Sequence, residues 1–233
     1  MKADLPRITI LMAGNTLPAI RSRFGEFHQW YQERAGLPAH YNVVTLYNGE
    51  PLPDWTASDG WIISGASESV YQDLPWLPDA KIKIVAAVEA GHAVLGVCFG
   101  HQLLAAALGG RVEPDPLGWE LGSSIIELTG AGVTEGLFNG FDKRFPVYET
   151  HRDVVTDLPH GSIVLATAER GLQAFRIGER AYGVQFHPEF NLPIARMYVE
   201  LRDHEGIAAS DPLDPKADDS RRVLTNFIKY LQA

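Results

Sequence analysis

Apolar runs and glycine stops alternate along the first hundred residues. Arg7 to Gly14 (Arg-Ile-Thr-Ile-Leu-Met-Ala-Gly) is a short apolar run ending in Gly-Asn, and it predicts a buried strand that turns into a helix. Between Leu17 and Gly36 the apolar residues Ile20, Phe24, Phe27, Trp30 and Tyr31 recur at helical spacing, with Gly36 and Pro38 as the stop. Tyr41 to Tyr47 and Gly60 to Ser64 are β-rich and predict two further strands, the second followed by a small-residue loop at Gly65 and Ala66. A helix is expected over Leu77 to Ala90, with Ile82, Val85, Ala86 and Glu89 on one face and Gly91 as its stop. Ala93 to Val97 predicts a fourth strand, and Phe99 to Leu108 an apolar helix closed by Gly109 and Gly110.

The second half changes rhythm. Ser123 to Thr129, Phe145 to Val154, Ile163 to Thr167, Gln173 to Ile177 and Ala181 to Phe186 predict strands separated by short turns, which suits antiparallel additions to a sheet. Asn191 to His204 and Asp218 to Leu231 predict closing helices, with Gly206 to Lys216 as a proline-bearing loop between them. The expectation is an α/β fold: a mostly parallel central sheet flanked by helices, with antiparallel strands added late. With no repeat and no linker composition, one domain over residues 1–233 is expected, its core at about 7–205 and a C-terminal loop and helix at 206–233.

Composition narrows the function classes. The chain carries 20 Lys+Arg against 29 Asp+Glu, a net charge of −9, and no basic run, so neither nucleic acid nor an anionic membrane surface is an expected partner. No stretch approaches the roughly 18 apolar residues of a membrane span, and Met1 to Pro6 lacks the pattern of a secretory leader, so a cytoplasmic protein is expected. A single cysteine, Cys98, excludes a disulfide scaffold and a cysteine-rich zinc site. The eight histidines show no metal-ligand spacing, and there is no glycine-rich phosphate loop, so no metal and no cofactor are expected.

Taken alone, Cys98 reads as a small buried hydrophobe. Its setting changes that. It sits in Gly96-Val97-Cys98-Phe99-Gly100-His101-Gln102, after an apolar strand and before an apolar helix. This is the thiol form of a nucleophile elbow, in which flanking glycines allow a sharp turn and the helix N-terminus favours a thiolate. A cysteine nucleophile needs a base, and the base an orienting group. His187, in Gln185-Phe186-His187-Pro188-Glu189, offers both, with Glu189 placed to hold the far imidazole nitrogen. His101 is the rival base, and His151, in Tyr148-Glu149-Thr150-His151-Arg152-Asp153, is expected near substrate instead. The N–H of Phe99 and the loop Ser64-Gly65-Ala66-Ser67 are candidate oxyanion donors.

Three motifs in this order, Ser64-Gly65-Ala66-Ser67-Glu68-Ser69, Gly96 to Gln102 and Val184 to Glu189, make the chain resemble the class I (triad-type) glutamine amidotransferases, a flavodoxin-like fold. The resemblance runs from the first strand to Glu189. It implies a Cys98-His187-Glu189 triad, oxyanion donors at Ala66 and Phe99 with Gly65 in the same loop, and substrate contacts from Gln102 and from Thr150, His151 and Arg152. Many members have a second glycine where Ala66 stands. Within the family, the chain is similar to free-standing members related to the amidotransferase part of GMP synthase. The tracts Val70-Tyr71-Gln72-Asp73, Pro75-Trp76 and Gly118-Trp119-Glu120-Leu121-Gly122 resemble the γ-glutamyl peptidase branch.

The implied reaction is cysteine-dependent hydrolysis of the glutamine γ-amide through a γ-glutamyl thioester. The alternatives are hydrolysis of γ-glutamyl peptides and a latent or non-catalytic binding subunit. The intact triad argues against the last. The expected partner is a small γ-glutamyl substrate. Residues 206–233 are too short for a synthetase, so an amidotransferase reading requires a separate synthetase subunit.

Overall fold

The computed structural model describes residues 4–232. Met1 to Ala3, part of the segment read as lacking a leader, and Ala233 lie outside the described residues. In chain order the elements are β1 (Arg7–Met12), α1 (Pro18–Phe24), α2 (Phe27–Ala35), β2 (His40–Thr45), β3 (Gly60–Ile63), α3 (Leu77–Glu89), β4 (Ala93–Val97), α4 (Phe99–Ala107) and β5 (Arg111–Pro114). They continue with β6 (Glu120–Leu128), α5 (Gly130–Thr134), β7 (Arg144–His151), β8 (Asp153–Asp157), β9 (Ile163–Ala168), β10 (Gly171–Ile177), β11 (Ala181–Val184), α6 (Leu192–His204) and α7 (Arg222–Leu231).

A 9-stranded sheet runs β2-β1-β3-β4-β11-β10-β9-β6-β7. Strands β2, β1, β3, β4 and β11 are mutually parallel, and the rest pair antiparallel. The fold is α/β, with the parallel part in flavodoxin-type order. Both faces of that part are covered, as parallel strands require. Ile8, Ile10, Met12, Ile62, Leu95 and Val97 pack with α2 and α7 on one face. Leu11, Trp61, Ile63 and Val94 pack with α3 and α4 on the other. The alternation along β1 and β4 follows the two-residue period of a strand.

Several predicted elements are corrected. The segment Leu17 to Gly36 is two helices, not one. Gly25 turns with φ 83°, and Glu26 caps α2, its N–H donating to Gln29 Oε1 (2.8 Å) and its carboxylate accepting from Phe27 N–H (2.9 Å). A Cβ at position 25 would occupy the Gln29 carboxamide. In α3 the buried face is Leu77, Ala80, Ile84 and Ala87, and Ile82 is 68% exposed. The predicted strand Phe145 to Val154 divides at Arg152: β7 stays in the main sheet, and β8 pairs with β5 in a separate two-stranded sheet. Strand β5 was not predicted, since it is short, mostly exposed and contains Pro114. Strand β11 is not an antiparallel addition beyond the core: it pairs parallel with β4. The predicted helix from Asp218 begins as a 3-10 turn, Pro215–Arg221, before α7.

The glycines around β4 set how closely α4 lies on the sheet. A Cβ at Gly96 would overlap the Gly100 carbonyl, and one at Gly100 would overlap the Ile63 carbonyl. Gly100→Ala is therefore expected to cost about 1–3 kcal/mol. Gly130→Ala, in open space at the start of α5, should cost nothing or stabilise by up to about 1 kcal/mol. Urea unfolding of both variants checks the contrast.

Candidate active site

Parallel strands β3, β4 and β11 lie side by side, so the segments after their carboxyl ends converge. Those segments are the loop from Ser64, the elbow at Cys98 and the stretch through His187. Cys98 has φ 51° and ψ −105°, and among the described residues it is the one non-glycine with positive φ. Such a conformation costs on the order of 1–3 kcal/mol and is held by its surroundings. Here the Cys98 N–H donates to Val184 O (2.9 Å), and the Cys98 carbonyl accepts from Gln102 N–H (3.1 Å) in α4. Cys98 is thus carried at the start of α4 and lines a solvent-open cleft.

His187 lines the same cleft. Its backbone N–H donates to Tyr148 O (2.9 Å), and its Nδ1 lies 2.8 Å from Glu189 Oε1. Both side chains are buried. Burial works against an imidazolium at His187, but the charges of Glu189 and Cys98 outweigh it and hold its pKa well above the ordinary value. Nε2 is buried with no nitrogen or oxygen partner among the described residues. The rival His101 is elsewhere. It packs edge-on against Phe175 (5.0 Å) and under Gly183, and burial drives its pKa down to about 3, so it is a neutral core group.

Gly65 lies against both groups: a Cβ there would stand 3.3 Å from His187 Cε1 and 3.8 Å from Cys98 Cβ. Among the described residues no protein group accepts from the backbone N–H of Ala66 or Phe99. Ala66 does not have positive φ. Its methyl packs against Gly14, where a Cβ would come within 2.8 Å of it, so the residue that replaces a second glycine fits without strain.

The other predicted residues form a further part of the cleft wall. Gln102 Nε2 donates to Asp153 O (2.8 Å) and to Gln185 Oε1 (3.2 Å), which leaves its carbonyl oxygen to face the cleft. Thr150, His151 and Arg152 all reach the cleft, and Thr150 Oγ1 is buried without a partner. Asp153, which the sequence did not single out, ties this wall to the loop after β3 by accepting from Ser69 Oγ and from Tyr71 OH (3.0 Å). Tyr31, Phe27 and Tyr198 were also missed. Tyr31 is buried, and its pKa is raised by burial and then by the charges of Glu189 and Cys98. Phe27 and Tyr198 line the cleft from α2 and α6. The available signal for these three was their position on the apolar faces of predicted helices, which also describes ordinary core residues.

Glu120 and Glu149 form a group the sequence did not predict. His151 Nε2 lies 3.1 Å from Glu120 Oε2 and 3.2 Å from Glu149 Oε2, with all three side chains buried. Register brings them together, since Glu120 pairs with His151 across β6 and β7. The three offer ligand atoms within 4.8 Å of one another, but the imidazole supplies the positive charge itself. Burial opposes its protonation, the two carboxylates outweigh burial, and the His151 pKa is pushed up to about 10. Burial raises Glu149 to about 7, and, despite burial, the adjacent His151 holds Glu120 below its usual value.

A raised histidine pKa stabilises fully below the unfolded value of about 6.5 and is lost as pH rises through the folded value of about 10. Between pH 8 and pH 10 this group should therefore contribute a decline of about 1.4 kcal/mol per pH unit. His151→Gln should flatten that decline. Chemical denaturation at pH 8, 9 and 10 measures both slopes, and equal slopes would show that His151 is not a buried cation.

The class I glutamine amidotransferase family model matches residues 29–199. γ-Glutamyl peptidase 5 of Arabidopsis thaliana is 30% identical over 201 residues, which are 83% of this chain and 80% of that protein. The GMP synthase of Pyrobaculum aerophilum is 40% identical over 128 residues, which are 55% of this chain and only 23% of that enzyme's length. The crystal structure of a glutamine amidotransferase from Methylobacillus flagellatus superposes with a TM-score of 0.75 at 23% identity, covering 97% of this chain and 95% of that one. No helix among the described residues is long and apolar enough to cross a membrane. The chain belongs to the class I glutamine amidotransferase family.

Proposed function

We propose that the chain hydrolyses the γ-amide of glutamine through a thioester on Cys98. The observation that carries this reading is a strained, cleft-lining cysteine beside a buried His187–Glu189 pair. In this reaction the Cys98 thiolate attacks the γ-carbonyl carbon. The oxyanion that forms is held by the N–H groups of Ala66 and Phe99, with Gly65 keeping the loop close. Protonated His187 gives its Nε2 proton to the amide nitrogen, the C–N bond breaks, and ammonia leaves. Water then attacks the thioester, His187 takes its proton, and the thiolate and glutamate are released. Glu189 holds the tautomer and favours the imidazolium. Gln102 Oε1 suits the substrate ammonium, with Thr150, His151 and Arg152 along the same wall.

A second reading is hydrolysis of γ-glutamyl peptides by the same residues, with an amino acid as the leaving group. It is favoured by the γ-glutamyl peptidase relative, which this chain spans for 80% of its length, against 23% for the GMP synthase. Under the glutamine reading, the ammonia serves a separate synthetase subunit.

Glutamate release from L-glutamine and from a γ-glutamyl dipeptide tests both readings. Cys98→Ala and His187→Asn should each lower turnover by roughly 10³-fold or more, and Glu189→Gln by clearly less. Cys98→Gly should abolish turnover while keeping or raising the melting temperature, because glycine relieves the positive φ. Full activity in Cys98→Ala would sink the thioester mechanism.

A further inference from the structure

The cleft carries a cation that the thioester chemistry does not use. Arg202, on α6, lines it together with Trp119. The guanidinium carbon stands over the indole ring, 4.4 Å from its centre, so the ring face helps hold the group in place. Nη1 donates to Glu205 Oε2 (2.7 Å). Nε is buried and has no acceptor among the described residues. With Nη1 engaged and Nε closed off from solvent, Nη2 is the remaining donor, and a guanidinium N–H makes a charge-assisted hydrogen bond to a carboxylate.

The position of α6 indicates which end of a substrate this edge meets. His187 stacks on Phe190 (4.2 Å, 15°), and Phe190 stacks on Tyr198 (4.8 Å, 16°). Tyr198 lines the cleft one helical turn before Arg202, on the same face of α6. The α6 wall is therefore continuous with His187, the group that delivers a proton to the leaving amine. The glutamyl end is assigned to the wall of Gln102 and Thr150.

We infer that Arg202, stacked on Trp119, binds the free carboxylate of an amino acid on the leaving side of the scissile bond, so that the cleft takes γ-glutamyl amino acids with a free carboxyl terminus. The inference rests on the thioester reading of the cleft for which end of the substrate is which. It concerns binding, and so it is tested apart from turnover.

The measurement is calorimetric binding to Cys98→Ala protein of γ-L-glutamyl-L-alanine, its C-terminal amide and L-glutamine. The acid should bind about 10-fold or more tightly than the amide, the scale of a charge-assisted contact. Arg202→Met on the same background should bring that ratio to about one. Arg202→Lys, which keeps the charge and loses the planar group held over Trp119, should reduce the ratio without abolishing it. Trp119→Leu should also lower it by releasing the guanidinium.

Equal binding of acid and amide before any change at Arg202 overturns the inference. So does an Arg202→Met loss shared equally by glutamine, acid and amide, which would place the arginine on the glutamyl α-carboxylate. Absence of binding by all three overturns it as well. If the preference holds but the unsubstituted protein releases no glutamate, the carboxylate site stands and the hydrolytic reading fails. If glutamate is released but there is no preference, the reverse is true.

Discussion

Strand β11 enters the sheet parallel to β4, with Val184 beside Val97 and Gly183 beside Gly96. The site depends on that pairing. β11 is also antiparallel to β10, so it joins the parallel half of the sheet to the antiparallel half. Because β3, β4 and β11 run the same way, their carboxyl ends lie along one edge, and three stretches distant in sequence meet there. The Val184 carbonyl accepts the Cys98 N–H, so the last residue of β11 holds the strained turn that carries the sulfur. A slip of one residue would send the side chains of β11 to the wrong face and carry the segment through His187 away from Cys98.

Charge is then arranged around that edge in two buried histidine–carboxylate groups. At His187 and at His151 alike, burial favours the neutral ring and nearby carboxylates reverse the outcome, and the charge on Cys98 adds to both. The two differ in geometry. His187 uses Nδ1 for Glu189 and keeps Nε2 free of oxygen and nitrogen partners, which suits proton transfer. His151 directs Nε2 at two carboxylates, which suits a fixed cation bracing β6 against β7. His101 has no carboxylate and stays neutral, which separates it from the other two despite its proximity to Cys98 in sequence.

Local signals made much of this legible. Apolar runs with glycine stops located β1, β3, β4 and α4 to within a residue or two, because a strand buried on both faces leaves little room for polar residues. The elbow and the His-Pro-Glu stretch were legible because they are contiguous. What escaped is what pairing creates. Glu120 and Glu149 look like ordinary strand carboxylates until register sets them on either side of His151. The parallel sense of β11 is invisible in four buried residues. The break at Gly25 was hidden because Phe24 and Phe27 keep a helical interval across it, whereas the Glu26–Gln29 capping box was a usable signal in the sequence. In α3, Ile82, Val85, Ala86 and Glu89 also recur at helical intervals, so spacing did not separate that face from the buried one of Leu77, Ala80, Ile84 and Ala87, which run three and four apart.

The location of backbone strain also follows from packing. The loop after β3 has to pass close to His187, and that closeness is met by Gly65, which has no side chain to displace the ring. Its neighbour Ala66 keeps an ordinary φ because Gly14 yields the space its methyl needs, so the alanine costs the loop nothing. At Cys98 no such exchange is open. Gly96 and Gly100 already give up their side chains so that α4 can lie against β3 and β4, and the turn between them must still carry a sulfur. Strain therefore concentrates on the residue proposed as the nucleophile, and the surrounding hydrogen bonds to Val184 and Gln102 hold it there.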